Sequence, residues 1–196
     1  MNIAYGYERL RCRASEGLFH WRSEAGLMEK LMGALFFAFL TALAAQIRFN
    51  VPFTPVPFTG QVLVVLVGAV CLGRYGAVAQ GMYLGLGASL GWFSGMVGLS
   101  ALMGVTGGYL IGFVLASWFL GTIIERSTNL DIMRLTMAMT GAVGIIYACG
   151  VFHMMTMLGM GLSEALLVGV LPFLAVDGLK VSMAVAISSL LVPPKG

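Results

Sequence analysis

Four stretches of this 196-residue chain carry no Asp, Glu, Lys or Arg: residues 31–47, 49–73, 75–124 and 135–163. One helix needs about 20 apolar residues to cross a bilayer. The run at 75–124 is long enough for two crossings, and its glycine-rich middle, Gly91 to Gly108, reads as the connection between them. A last apolar region, 165–192, is interrupted by Asp177 and Lys180. Helices are predicted near 30–48, 60–73, 76–91, 107–124, 135–157 and 174–192. The chain is 59% hydrophobic and 10% charged, against about 45–50% and 25% for a soluble domain. A soluble fold of this size has too much surface for its volume to hide that apolar excess. The expectation is an all-α integral membrane protein, a bundle of six transmembrane helices with no separate soluble domain. The 27 glycines fit the close helix packing that small residues allow in membranes.

Basic residues orient the bundle, because Lys and Arg concentrate on the cytoplasmic side. Arg9, Arg11, Arg13, Arg22 and Lys30 precede the first span, Arg74 follows the second, Arg126 and Arg134 follow the fourth, and Lys195 follows the last. With six spans these fall on one side, which makes the protein multi-pass with both termini cytoplasmic. Since the bases flank spans, the net charge of +3 calls for no nucleic acid. Residues 28–196 form the membrane domain. Residues 1–27 read as a weakly ordered cytoplasmic tail, a surface helix with Leu18, Phe19 and Trp21 on its apolar face, or a misassigned start before Met28. They hold no signal-peptide pattern. Cys12, Cys71 and Cys149 have no metal-site or redox spacing.

Three features stand out from the apolar background. Ala34, Ala38 and Ala42 repeat at four and lie on one stripe of the first helix. Such a stripe packs within the chain or docks another membrane subunit. Pro52, Pro55 and Pro57 forbid helix between the first two spans. That segment must lie at the interface or line a cavity. It is either a connector or a stiff extended loop that caps a pocket from the outer side with Phe53 and Phe58. The Gly91–Tyr109 stretch falls on the same side. Trp92, Phe93 and Tyr109 there offer rings to a ligand or to an interfacial aromatic belt.

Asp177 and Lys180 are the most informative residues. A charge near the bilayer centre costs at least about 2.5–3.5 kcal/mol on insertion scales. Three apart on a helix, the two share a face. They form either an internal ion pair that fixes packing or a ligand contact. Buried pairs seldom stabilise more than apolar replacements, which favours the ligand. Asp177 would accept N–H donors and Lys180 would meet an anion or a carbonyl oxygen, so the ligand is a small polar heterocycle with an acid tail. Gln61 follows the proline segment directly and joins the candidates; Gln46, Gln80 and His153 read as packing residues. No phosphate-binding loop, His/Glu metal constellation or Ser-His-Asp set is visible. The chain is expected to be no enzyme, to bind no metal and to carry no cofactor.

Pro55-Val-Pro-Phe-Thr-Gly-Gln61, Thr106-Gly-Gly-Tyr-Leu-Ile-Gly-Phe113 and Pro172-Phe-Leu-Ala-Val-Asp-Gly-Leu-Lys180 occur in this order. Together they resemble the proline, glycine-tyrosine and Asp/Lys motifs of the BioY family over roughly residues 29–192. That family comprises the biotin-binding S components of energy-coupling factor (ECF) transporters. The resemblance implies a bacterial cytoplasmic-membrane protein of six helices with an outward-facing biotin pocket. It would deliver biotin to a complex powered by a membrane T component and cytoplasmic ATPases. It implies that Asp177 accepts a ureido N–H of biotin and that Lys180 meets a ureido or carboxylate oxygen. Thr59, Gln61, Trp92, Phe93 and Tyr109 would complete the substrate site, and Ala34, Ala38 and Ala42 would dock the T component. Two positions depart from the pattern: Val105 replaces a usual proline, and Met96 falls where some members have asparagine. An S component for another vitamin, or a biotin transporter working without partners, is the alternative.

Overall fold

A computed structural model describes residues 17–18, 20–93, 98, 100–127 and 131–191. Eight α-helices are delimited among them: α1 Leu27–Gln46, α2 Gln61–Leu72, α3 Tyr75–Leu90, α4 Ser100–Met103, α5 Gly107–Arg126, α6 Ile132–Met157, α7 Leu162–Gly169 and α8 Leu174–Ser189. Each of the six expected segments is helical. The count is higher because the glycine-rich connection contains the short α4, and because α7 precedes α8 across a 3-10 turn at Leu171–Phe173. By length and composition, α1, α5, α6 and the apolar stretch Leu162–Ser189 are each able to cross a membrane.

The short α2 is the axis of the bundle. Its mostly buried faces pack against α1, α3, α5 and α8, and Val65, Leu66, Ala69 and Val70 are fully buried. Helices α5 and α6 form the most extensive pair. They approach closely because Gly108 and Gly112 set bare backbone against Cys149 and Ile146; a Cβ at either position would run into α6.

The alanine stripe of α1 turns inward. Ala34 and Ala38 are fully buried and Ala42 nearly so, with α2 and α3 packed against this helix. The docking reading of Ala34, Ala38 and Ala42 is therefore corrected: the chain's own helices occupy that face. The exposed face of α1 instead carries Met32, Leu35, Phe36, Phe39 and Leu43.

One end of the bundle is tied shut by polar contacts. Gly73 makes the α2–α3 turn with φ of 60°, a left-handed conformation that favours glycine. Its carbonyl lies against Gly121. The Glu125 carboxylate accepts from the Arg74 backbone N–H at 2.8 Å and from its Nε at 2.5 Å. Residues 20–24, part of the stretch expected to be weakly ordered, are helical. Trp21 packs beside Ala34 and Leu72, and Arg22 Nη1 donates to the Val70 carbonyl at 3.3 Å. Residues 1–16 and Phe19 lie outside the described residues, as does Cys12. Cys71 and Cys149 are free thiols.

The proline segment sits at the other end. It is a hairpin rather than a simple extended loop: Arg48–Phe49 pairs antiparallel with Phe58–Thr59.

Candidate binding site

The ends of these elements enclose a cavity. The proline hairpin contributes Val56, Pro57 and Thr59, α2 contributes Gln61, and α5 contributes Tyr109 and Phe113. Phe93 and Ala101 come from the glycine-rich connection, and Asp177 and Lys180 from α8. The proline and glycine segments, far apart in sequence, thus meet over one space.

The cavity has two sets of hydrogen-bonded polar groups in a largely apolar lining. In the first, Lys180 Nζ donates to Asp177 Oδ1 at 2.6 Å, and the Tyr147 hydroxyl donates to Asp177 Oδ2 at 2.7 Å. Asp177 is 4% exposed. It sits in the first turn of α8, where the positive end of the helix dipole favours a carboxylate. The i,i+3 spacing read from sequence is what brings its lysine within reach. In the second, Thr59 Oγ1 donates to Gln61 Oε1 at 3.1 Å, and Gln61 Nε2 donates to the Tyr83 hydroxyl at 2.9 Å. Phe93 packs edge-on against Tyr83, with ring centroids 5.5 Å apart.

The hairpin is fastened to the break between α7 and α8. Val170, at the end of α7, leaves helical geometry with φ −123° and ψ −55°. Two carbonyls beside the break are taken from outside the helix. Thr54 Oγ1 donates to Val168 O at 2.5 Å, and the Tyr109 hydroxyl donates to Gly169 O at 2.7 Å. The Phe58 ring stacks on Phe173 at 4.4 Å.

Six of the seven expected substrate residues, Thr59, Gln61, Phe93, Tyr109, Asp177 and Lys180, line this cavity. Tyr109 does so while its hydroxyl is already spent on Gly169. Trp92 does not. Its ring meets Phe39 of α1 edge-on at 6.1 Å on the outer face, so its place in the substrate site is corrected. Met96 lies outside the described residues. Sequence reasoning missed Tyr83 and Tyr147. The available signal was a phenol hydroxyl inside an apolar helix, which needs a partner when buried. Among the described residues no group of three or more metal-ligating side chains converges.

The fold and cavity define a multi-pass membrane protein with a small, partly open pocket whose lining is largely apolar and carries hydrogen-bonding groups at two places. Comparison with known proteins narrows the class. The BioY family model matches residues 16–194, which extends the likeness into the stretch before the first span. A biotin transporter BioY of Thermotoga maritima is 37% identical over 82% of this chain and 94% of its own length. That of Rhizobium etli is 33% identical over 79% and 87%. The chain belongs to the BioY family. A crystal structure of an S component for biotin from an ECF-type ABC transporter superposes with a TM-score of 0.74 at 21% identity, covering 84% of this chain and 90% of that one, and so shares the fold.

Proposed function

We propose that this chain is a biotin-binding S component of an ECF-type vitamin uptake transporter. It takes biotin from outside the cell and passes it to a complex with a membrane T component and cytoplasmic ATPases. The observation that carries this reading is the cavity itself, with a carboxylate and an ammonium from one helix turn at one place and amide and hydroxyl groups at another. Biotin's ureido ring supplies N–H donors and a carbonyl, and its tail supplies a carboxylate. Asp177 accepts a ureido N–H and Lys180 donates to an oxygen of the vitamin. Thr59, Gln61, Phe93 and Tyr109 hold the rest.

In this reading six helical regions span the membrane, the short α2 held at their centre. The hairpin and the glycine-rich connection cap the pocket from outside, and both termini are cytoplasmic. The tied end, rich in arginine, then faces the cytoplasm, in accord with the placement of basic residues. Residues 28–196 are the membrane domain, with residues 20–24 packed on its cytoplasmic flank.

Calorimetric titration of the detergent-purified protein tests this, with thiamin and riboflavin as controls. Saturable binding of biotin alone is expected. A folded sample that binds thiamin or riboflavin instead would reassign the ligand, and one that binds none of the three would remove the reading.

A further inference from the structure

Asp177 is held from two helices. Lys180 reaches Oδ1 from the same helix, one turn on, and Tyr147 reaches Oδ2 from α6. A carboxylate is a soft rotor about its last torsion, and a lysine ammonium ends a flexible four-carbon stem. Lys180 alone therefore defines a charge but not an orientation. Tyr147 differs, because its rigid ring ends in a hydroxyl fixed by two torsions. Its helix is locked against α5 where Gly108 and Gly112 admit the α6 backbone. With one donor on each oxygen from separate helices, the carboxylate plane is set before any ligand arrives. A carboxylate has about four lone-pair sites, so two donors leave acceptor capacity for a third.

The geometry points to Tyr147 as a positioning residue: it orients the Asp177 carboxylate so that a free lone pair meets a ligand N–H. Preorganisation of this kind raises affinity by removing an ordering cost on binding. Tyr147 also lines the cavity, and its hydroxyl, whose one O–H is engaged with Asp177, faces other groups only as an acceptor. Asp177 and Tyr147 together therefore favour N–H donors on the ligand, while Lys180 beside them keeps donors for an oxygen. The inference rests on the biotin reading for its ligand but not for the contact itself.

The full chain in detergent provides the test through two readouts. Tyr147→Phe keeps the ring and removes the donor. Biotin affinity is expected to fall about tenfold, the size of one hydrogen bond to a charged group at its lower range. In the ligand-free protein, the infrared carboxylate band present in wild type and absent from Asp177→Asn is expected to shift in Tyr147→Phe. Tyr147→His keeps a ring and a donor and should recover part of both effects; if the phenylalanine variant does not fold, the histidine variant decides, with near wild-type affinity supporting the role and a full tenfold loss opposing it. Unchanged affinity in Tyr147→Phe, or a tenfold loss without a band shift, overturns the proposal. If wild-type protein binds no biotin, the functional reading fails, and the band shift alone still decides whether Tyr147 positions Asp177.

Discussion

Two buried polar clusters in this bundle look alike from sequence and differ in what surrounds them. Asp177, Lys180 and Tyr147 bridge α6 and α8 beside the cavity. Thr41 and Gln80 bridge α1 and α3, with Gln80 Nε2 donating to Thr41 Oγ1 at 3.2 Å. Gln80 is 1% exposed, Thr41 is fully buried, and neither lines the cavity described above. Gln80 Oε1 has no partner. The first cluster combines charge with access. The second is neutral and sealed, a means of joining helices without a hydrophobic drive between them. Burial of polar atoms thus marks a binding site only where space is left beside them.

The sharpest way to break this comparison is to remove the ammonium. Lys180→Ala is expected to weaken biotin binding at least tenfold, about 1.4 kcal/mol, by titration calorimetry. Unchanged affinity would place Lys180 with Thr41 and Gln80 as a packing residue. A smaller effect is expected from Phe58→Ala, which removes the stack on Phe173. Aromatic pairs contribute about 0.5–1.5 kcal/mol beyond their area, so biotin should leave several-fold faster in a dissociation assay. An unchanged off-rate would show that the hairpin does not restrain the ligand. The smallest effect belongs to the sealed cluster. Gln80→Met conserves length and removes both the unpaired carbonyl and the donor to Thr41 Oγ1; Thr41 keeps its own bond to the Phe37 carbonyl, so the cost falls on helix packing and amounts to about 1 kcal/mol of stability. Biotin affinity should match wild type while the thermal midpoint falls by a few degrees. A tenfold affinity loss would tie α1 and α3 to the site and dissolve the distinction.

The same contrast explains what was legible beforehand. Asp177 and Lys180 were readable because a charge well inside an apolar run is expensive, and their spacing put them on one face. The helices were readable because hydrocarbon leaves so few options. The alanine stripe was not: small residues promote close packing with any neighbour, and nothing in Ala34, Ala38 or Ala42 says whether that neighbour belongs to the same chain. Trp92 was misplaced for a related reason. An aromatic ring beside Phe93 has two sides of the chain to choose from, and Trp92 turned toward Phe39. Tyr147 escaped notice because a phenol declares its role only through its partner, which lies 30 residues away.

The interruption between α7 and α8 alters the charge balance of the pocket. As 16 residues, α8 is about 24 Å long, short of the roughly 30 Å of hydrocarbon. Read as spanning from its C-terminal end, it begins inside the bilayer, with Asp177 in its first turn. Aspartate and lysine cancel as ions, but the helix start adds about half an elementary positive charge. That increment is made of aligned peptide groups. It gains and loses no proton, so it persists at every pH the fold survives. It acts first on the Asp177 carboxylate in the same turn, steadying by backbone alone the acceptor that the pocket turns toward N–H donors.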